Sequence, residues 1–163
     1  MTRIKDILSI RLEDDIKSVI DLNQQDERSI VDELDGFILT ESLAKHLADF
    51  CDFFISNTAQ PGLWLSGFYG SGKSYFSKMI GFLLKNPTIQ GTSVRERFRN
   101  KLIGLPNAGL LQNSINELGR TKNHIVLFDA AKTTGNHGIS YMMMGAFLKS
   151  LGLNDDWVGI IEF

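Results

Sequence analysis

The chain has 163 residues, of which 43% are apolar and 22% are charged, as is typical of a globular domain with a packed core. The formal net charge of −2 argues against a protein that binds nucleic acid through its overall charge. Cys51 is the single cysteine, which excludes a disulfide within the chain and suits a reducing compartment. No run of about 18 apolar residues occurs, so no membrane span is predicted. The N-terminal segment MTRIKDILSIRLEDD holds no signal-peptide core, and we expect a cytoplasmic protein.

Two helices are predicted before residue 60. Asp26 is placed to cap the first helix, which carries Ile30 and Leu34 on one face and stops at Gly36. Phe37–Leu39 is a short apolar piece that favours extended backbone. Thr40 then caps a longer helix with one apolar face, formed by Leu43, Leu47, Cys51 and Phe54. In that position Cys51 is interpreted as a small buried side chain rather than as a reactive thiol.

The rest of the chain alternates predicted strands and helices. The apolar runs Leu63–Ser66 and His124–Phe128 are typical of short buried strands. Helices are predicted over 73–84, 94–102, 108–118 and 139–151, the second starting from a Ser93–Glu96 capping box and the third capped by Asn107. The alternation predicts an α/β fold with a parallel sheet flanked by helices.

The segment Gly67–Ser74 reads GFYGSGKS and matches the spacing G-x-x-x-x-G-K-[ST]. A loop of this kind leaves a strand, makes a turn that needs glycine and enters a helix N-terminus, where backbone amides surround phosphate oxygens. Lys73 would reach the β- and γ-phosphates of ATP, and the Ser74 hydroxyl would bind Mg²⁺. The alternative is a glycine-rich turn that happens to precede Lys-Ser. The setting between an apolar run and a helix favours nucleotide binding.

The predicted nucleotide-binding residues are Gly67, Phe68, Tyr69, Gly70, Ser71, Gly72, Lys73, Ser74 and Tyr75. Phe68 and Tyr69 could stack on the base, but covering the loop is favoured because the loop follows the phosphates. Trp64 is expected in the core. The adenine site is expected near residues 37–40.

Hydrolysis of ATP also requires an acid that holds Mg²⁺ through water. Asp129 follows the predicted strand His124–Phe128 and is, with Lys73, the candidate catalytic residue, but Ala130 stands where a second acid is usual. A loop role for Asp129 is therefore favoured. The apolar ending WVGIIEF and the small number of predicted strands lead us to expect the N-terminal part of a longer polypeptide.

The predicted helix after Ser93 carries four basic side chains and one acidic side chain, Glu96. The basic residues are Arg95, Arg97, Arg99 and Lys101. A solvated helix face is the favoured interpretation, and contact with DNA phosphates is the alternative. The three histidines are scattered without the spacing of a zinc site.

Three segments together resemble the large P-loop ATPases of bacteriophage-exclusion (BREX) systems, the BrxC/PglY family. They are RIKDIL, LDGFILTESLAKHLADF and LWLSGFYGSGKSYFSKMIGFLLKN, and the likeness covers most of residues 1–90. The resemblance implies an AAA+-like ATPase of the origin-recognition or STAND layout that acts with other BREX proteins and DNA, and it is compatible with an oligomer of the full-length protein. It also implies that Asp129 is not the Mg²⁺ acid and that this acid and any arginine finger follow residue 163. On this basis residues 1–35 are predicted as a helical extension and 36–163 as the N-terminal part of the ATPase domain.

Two other functions remain open at this point. One is an interaction module that binds ATP without hydrolysing it and uses the bound nucleotide to order a surface for a partner. The other, less favoured, is a small-molecule kinase, since no arginine-rich lid is recognisable.

Overall fold

The computed structural model of the protein describes residues 26–56, 62–106, 108–120, 123–129 and 138–154. Within these residues it contains six helices and one two-stranded sheet. The helices are α1 (Glu27–Gly36), α2 (Glu41–Ile55), α3 (Lys73–Lys85), α4 (Val94–Lys101), α5 (Ala108–Leu118) and α6 (Ile139–Ser150). The strands are β1 (Thr88–Ile89) and β2 (Thr92–Ser93).

The prediction of an α/β P-loop NTPase fold with a parallel sheet is wrong for the described residues. Their sheet is an antiparallel pair, in which Thr88 lies opposite Ser93, and neither predicted buried strand is a strand. Leu63 is 56% exposed and Leu65 is 40% exposed, whereas strands of a parallel sheet are covered on both faces. A short apolar run becomes a strand only when a neighbouring strand accepts its backbone hydrogen bonds, and the run itself does not specify that partner.

The predicted helices are confirmed where the structure describes them, and three of them, α1, α2 and α4, begin at a side-chain cap. The Asp26 carboxylate accepts a hydrogen bond from the Ser29 amide at 2.9 Å, and the Thr40 hydroxyl accepts one from the Leu43 amide at 3.3 Å. Ser93 caps α4 in the same way. Each cap satisfies an amide that has no partner within the helix. Asn107, the expected cap of α5, lies outside the described residues.

The β1–β2 hairpin is an element that the sequence interpretation missed. Gln90 and Gly91 form its two-residue turn with φ of 51° and 77°, and two consecutive positive φ values characterise the type I′ turn that suits a tight hairpin. The sequences that usually predict this turn are Asn-Gly and Asp-Gly, and the Gln-Gly pair matches neither of them. The hairpin reverses the chain between α3 and α4.

The core lies between the first five helices. Helix α2 packs most extensively against α5, where Leu47, Cys51 and Ile115 are fully buried. Residues of α1, including Leu34, belong to the same hydrophobic cluster. Burial raises the pKa of the Cys51 thiol to about 12, with a smaller contribution from the neighbouring Asp52 charge. The interpretation of Cys51 as a buried side chain is therefore confirmed.

Candidate phosphate-binding site

The backbone of the loop before α3 depends on its glycines. Gly70 and Gly72 have φ of 78° and 81°, values in the left-handed region that side chains with a β-carbon seldom adopt. A β-carbon on Gly67 would lie 2.9 Å from the Ser71 hydroxyl oxygen, a contact that rotation of this exposed serine side chain can relieve. The path of the backbone therefore requires glycine at positions 70 and 72.

Lys73, the first residue of α3, folds back over this loop. Its ammonium nitrogen donates hydrogen bonds to the backbone oxygens of Gly67 at 2.9 Å and Phe68 at 2.7 Å. These bonds close residues 67–73 into a ring, and they hold a positive charge at its edge. We call residues 67–74 the phosphate loop. Its predicted members Gly67, Phe68 and Lys73 are thus brought together by direct contacts.

The phosphate loop leads into a helix end that no side chain caps. Gly72 is the N-cap residue, and the first turn of α3 contains no acidic residue. The first amides of a helix have no partner within the helix, and the helix dipole makes this end positive. The Ser74 hydroxyl lies in the same exposed turn. Backbone amides without helical partners, a lysine and a hydroxyl therefore occur together at this exposed helix end, a combination that suits the oxygens of a phosphate group.

Three aromatic residues flank or belong to the phosphate loop and point into solvent. Trp64 and Phe68 are each 90% exposed, and Tyr69 is fully exposed. The expectation that Trp64 belongs to the core is therefore wrong: the apolar run Leu63–Leu65 does not enter a sheet here, and nothing in the described structure covers it. Phe68 and Tyr69 likewise do not cover the loop.

Tyr75, predicted to contact the nucleotide, connects α3 to α1. Its hydroxyl donates a hydrogen bond to the backbone oxygen of Glu33, and its ring meets the ring of Phe37 edge-on, with centroids 5.4 Å apart. The segment expected to form the adenine site therefore begins beside the first turn of α3. In this segment Phe37 and Leu39 are buried, while Ile38 is 78% exposed.

Asp129 ends the segment 123–129, which is neither helix nor strand, and is half-buried. Leu127 of this segment packs onto α3 at Gly81, where an added β-carbon would lie 2.7 Å from a Leu127 methyl carbon. His124 contacts α6 through a 2.7 Å hydrogen bond with Ser150. Residues 123–129 therefore contact both α3 and α6. The assignment of Asp129 to catalysis stays a prediction. Ala130 and His137 lie outside the described residues.

The four basic residues of α4 make hydrogen bonds within the chain. Arg95 donates to the backbone oxygens of Leu83 at 3.1 Å and Leu84 at 3.3 Å, at the C-terminal end of α3. Burial lowers the pKa of its guanidinium, and the nearby Arg99 charge lowers it further. Positive charge at a helix C-terminus is favourable because the dipole is negative there. Arg95 therefore has a structural role.

The other three side chains connect α4 to its neighbours. Arg97 lies 3.5 Å from the Asp35 carboxylate, Lys101 donates to the Asp35 backbone oxygen at 3.1 Å, and Arg99 donates to the Asn116 side chain at 2.6 Å. Burial is the main cause that lowers the pKa of Lys101. A contact between these residues and DNA stays a prediction, and it would compete with these bonds.

A buried ion pair near the site was missed from the sequence. The Lys78 ammonium lies 2.7 and 2.9 Å from the two carboxylate oxygens of Glu33, and it sits 5.6 Å from the centre of the Phe82 ring. Lys78 is fully buried and Glu33 is 6% exposed. The sequence does contain an indication of this pair, because Glu33 and Lys78 each fall on the apolar face of a predicted helix. A charge buried there without a partner is costly, so a partner of opposite charge is expected.

No protein-family model matches the chain, and no solved structure is significantly similar to it. The described helices include none that is long and apolar enough to cross a membrane. Among the described residues, no cluster of three or more histidine, cysteine, aspartate or glutamate side chains could hold a metal ion. The resemblance to BREX ATPases therefore depends on the quoted sequence segments alone.

Proposed function

We propose that this chain binds Mg-ATP, with the phosphates held by Gly67–Ser74. The observation that carries the proposal is the pair of hydrogen bonds from the Lys73 ammonium to the Gly67 and Phe68 oxygens. They shape the loop into a ring at the uncapped N-terminus of α3. A phosphate at this ring would accept hydrogen bonds from backbone amides and from Lys73, and Mg²⁺ would be held by the Ser74 hydroxyl.

The wider proposal is that the chain is the ATP-binding part of a bacterial anti-phage ATPase in the cytoplasm. The three segments that resemble BREX ATPases support it, and one of them contains the phosphate loop. Other BREX proteins and DNA would then be the partners of the full-length protein. Lys73 would act on the γ-phosphate, and any contribution from Asp129 would require it to approach the bound Mg²⁺.

Thermal denaturation with and without Mg-ATP tests nucleotide binding. At a ligand concentration of about one hundred times Kd, binding adds roughly 2.7 kcal/mol of stability, which raises Tm by about 5–10 °C for a domain of this size. Lys73→Ala should lose most of this increase. Lys85→Ala is the matched control, because Lys85 is an exposed lysine at the other end of the same helix. An equal increase in Lys73→Ala and wild type would refute the proposal.

A second candidate is an interaction module that binds ATP and does not hydrolyse it. The exposed aromatic side chains of Trp64, Phe68 and Tyr69 favour it, because tryptophan, tyrosine and phenylalanine are enriched where proteins meet. Measurement of phosphate release by the purified chain separates the candidates. Turnover that Lys73→Ala abolishes supports an ATPase, whereas bound ATP without turnover supports the interaction module.

A further inference from the structure

Helix α1 is joined to the helix of the phosphate loop by Glu33, which uses both its side chain and its backbone. The carboxylate binds the Lys78 ammonium at 2.7 and 2.9 Å. The backbone oxygen of the same residue accepts the Tyr75 hydroxyl hydrogen bond. These contacts connect positions 42 and 45 residues apart in the chain, so they exist only while α1 is docked.

Both partners of Glu33 lie close to the phosphate loop along α3. Tyr75 is in the first turn of the helix, directly after Ser74, and Lys78 is in the second turn. A helix segment this short behaves as a rigid body, because successive backbone hydrogen bonds fix it. The orientation of the amides that would bind phosphate is therefore mechanically linked to the position of α1.

The contacts of Glu33 with Tyr75 and Lys78 favour one position of α1 against α3. Burial raises the pKa of Tyr75 to about 12, and the Glu33 charge adds to the effect, so the hydroxyl remains a hydrogen-bond donor at neutral pH. The Lys78–Glu33 pair is excluded from water, and separating two buried charges without new partners is costly. Undocking of α1 would therefore break several contacts together.

We propose that Glu33 couples the docking of α1 to occupancy of the phosphate loop. Phosphate bound at Gly67–Ser74 stabilises the docked α1, and loss of the α1 contacts weakens phosphate binding. The inference rests on the proposed function, since it assigns a regulatory element to the same site. Thermodynamic linkage makes the effect reciprocal: the factor by which docking strengthens binding equals the factor by which ligand strengthens docking.

Two measurements on the full chain test the coupling. Calorimetry gives the Kd for Mg-ADP, and hydrogen exchange gives the protection of the α1 amides with and without Mg-ADP. Tyr75→Phe deletes the hydroxyl and keeps the ring against Phe37. Ser114→Ala is the matched control, because it also deletes one hydroxyl that joins two helices, here through a 2.8 Å bond to Asp52.

In wild type, Mg-ADP should increase the protection of the α1 amides. Tyr75→Phe should weaken Mg-ADP binding about three- to tenfold, the range that corresponds to one net hydrogen bond, and should reduce the ligand-induced protection by a similar factor. Ser114→Ala should change neither quantity. Lys78→Met leaves the Glu33 charge buried without its counter-charge, which weakens the docking of α1, and should weaken binding in the same direction.

The outcomes separate this inference from the proposed function. If wild type binds Mg-ADP but α1 protection does not respond, or if Tyr75→Phe and Lys78→Met bind as wild type does, the coupling is refuted and nucleotide binding stands. If Tyr75→Phe and Ser114→Ala weaken binding equally, the effect is general destabilisation, which also refutes the coupling. If wild type binds no Mg-ADP, the proposed function fails and the coupling fails with it.

Discussion

Replacing Lys78 by methionine should be among the most destabilising single changes in this protein. The substitution keeps an unbranched apolar chain in the core but removes the ammonium group that lies 2.7 Å from the Glu33 carboxylate. Since the Glu33 side chain is only 5% exposed, its charge would be left without water or counter-charge. Breaking a buried pair in this way costs about 3–5 kcal/mol, a large part of the roughly 5–15 kcal/mol that stabilises a typical domain.

Urea denaturation monitored by circular dichroism measures this loss. With m of about 2 kcal/mol per molar urea, the midpoint should fall by about 1.5–2.5 M. The double variant Lys78→Met/Glu33→Leu should recover most of the stability, because it leaves no unpaired charge and apolar replacement of a buried pair is often neutral or stabilising. A loss below about 1 kcal/mol in Lys78→Met, or a double variant as unstable as the single one, would refute the buried ion pair.

The remaining predictions concern the core and the contacts of α3. Native Cys51 should resist iodoacetamide at pH 8 and react once urea unfolds the chain, because burial keeps the thiol neutral; rapid labelling of the native chain would contradict the burial. Burial raises the pKa of the folded thiol to about 12, above the ordinary 9.0, so the stability of the fold should fall as pH rises above about 9. Gly81→Ala should add little stability in the wild-type chain, because the new methyl group would crowd the Leu127 side chain. In a Leu127→Ala chain the same substitution should add about 1 kcal/mol more. Equal effects of Gly81→Ala in both chains, measured by urea titration, would show that residues 81 and 127 do not pack together. Arg95→Gln should lower stability by about 1–3 kcal/mol through the lost helix-end hydrogen bonds; unchanged thermal stability combined with weaker DNA binding at low salt would instead support the nucleic-acid contact.

Most helix positions could be predicted from the sequence because their signals are local. A capping side chain such as Asp26 or Thr40 acts on an amide three residues away, and the apolar face of α2 is visible in its own spacing. The glycine-dependent turn before α3 was predictable for the same reason, because the positive φ of Gly70 and Gly72 is a property of the local backbone.

The parts that failed depend on residues distant in the chain. Whether Leu63–Leu65 forms a strand is decided by a partner strand, and a prediction from the run itself could not supply one. The Lys78–Glu33 pair joins two helices, so neither helix alone reveals it. The basic residues of α4 were interpreted mainly as a solvated face. Their partners are backbone oxygens of α1 and α3, the Asp35 carboxylate and the Asn116 side chain, and the spacing within α4 does not reveal them.

Calorimetric titration with ADP and with AMP, both in excess Mg²⁺, tests the central claim most directly. The phosphate loop is expected to hold the β-phosphate, which ADP has and AMP lacks. Each charge-assisted hydrogen bond to that group contributes about 1.5–3 kcal/mol, so ADP should bind at least about tenfold more tightly than AMP. Lys73→Ala should remove most of the difference. Equal affinity for ADP and AMP, or an ADP affinity unchanged in Lys73→Ala, would contradict the assignment of Gly67–Ser74 as a phosphate-binding site.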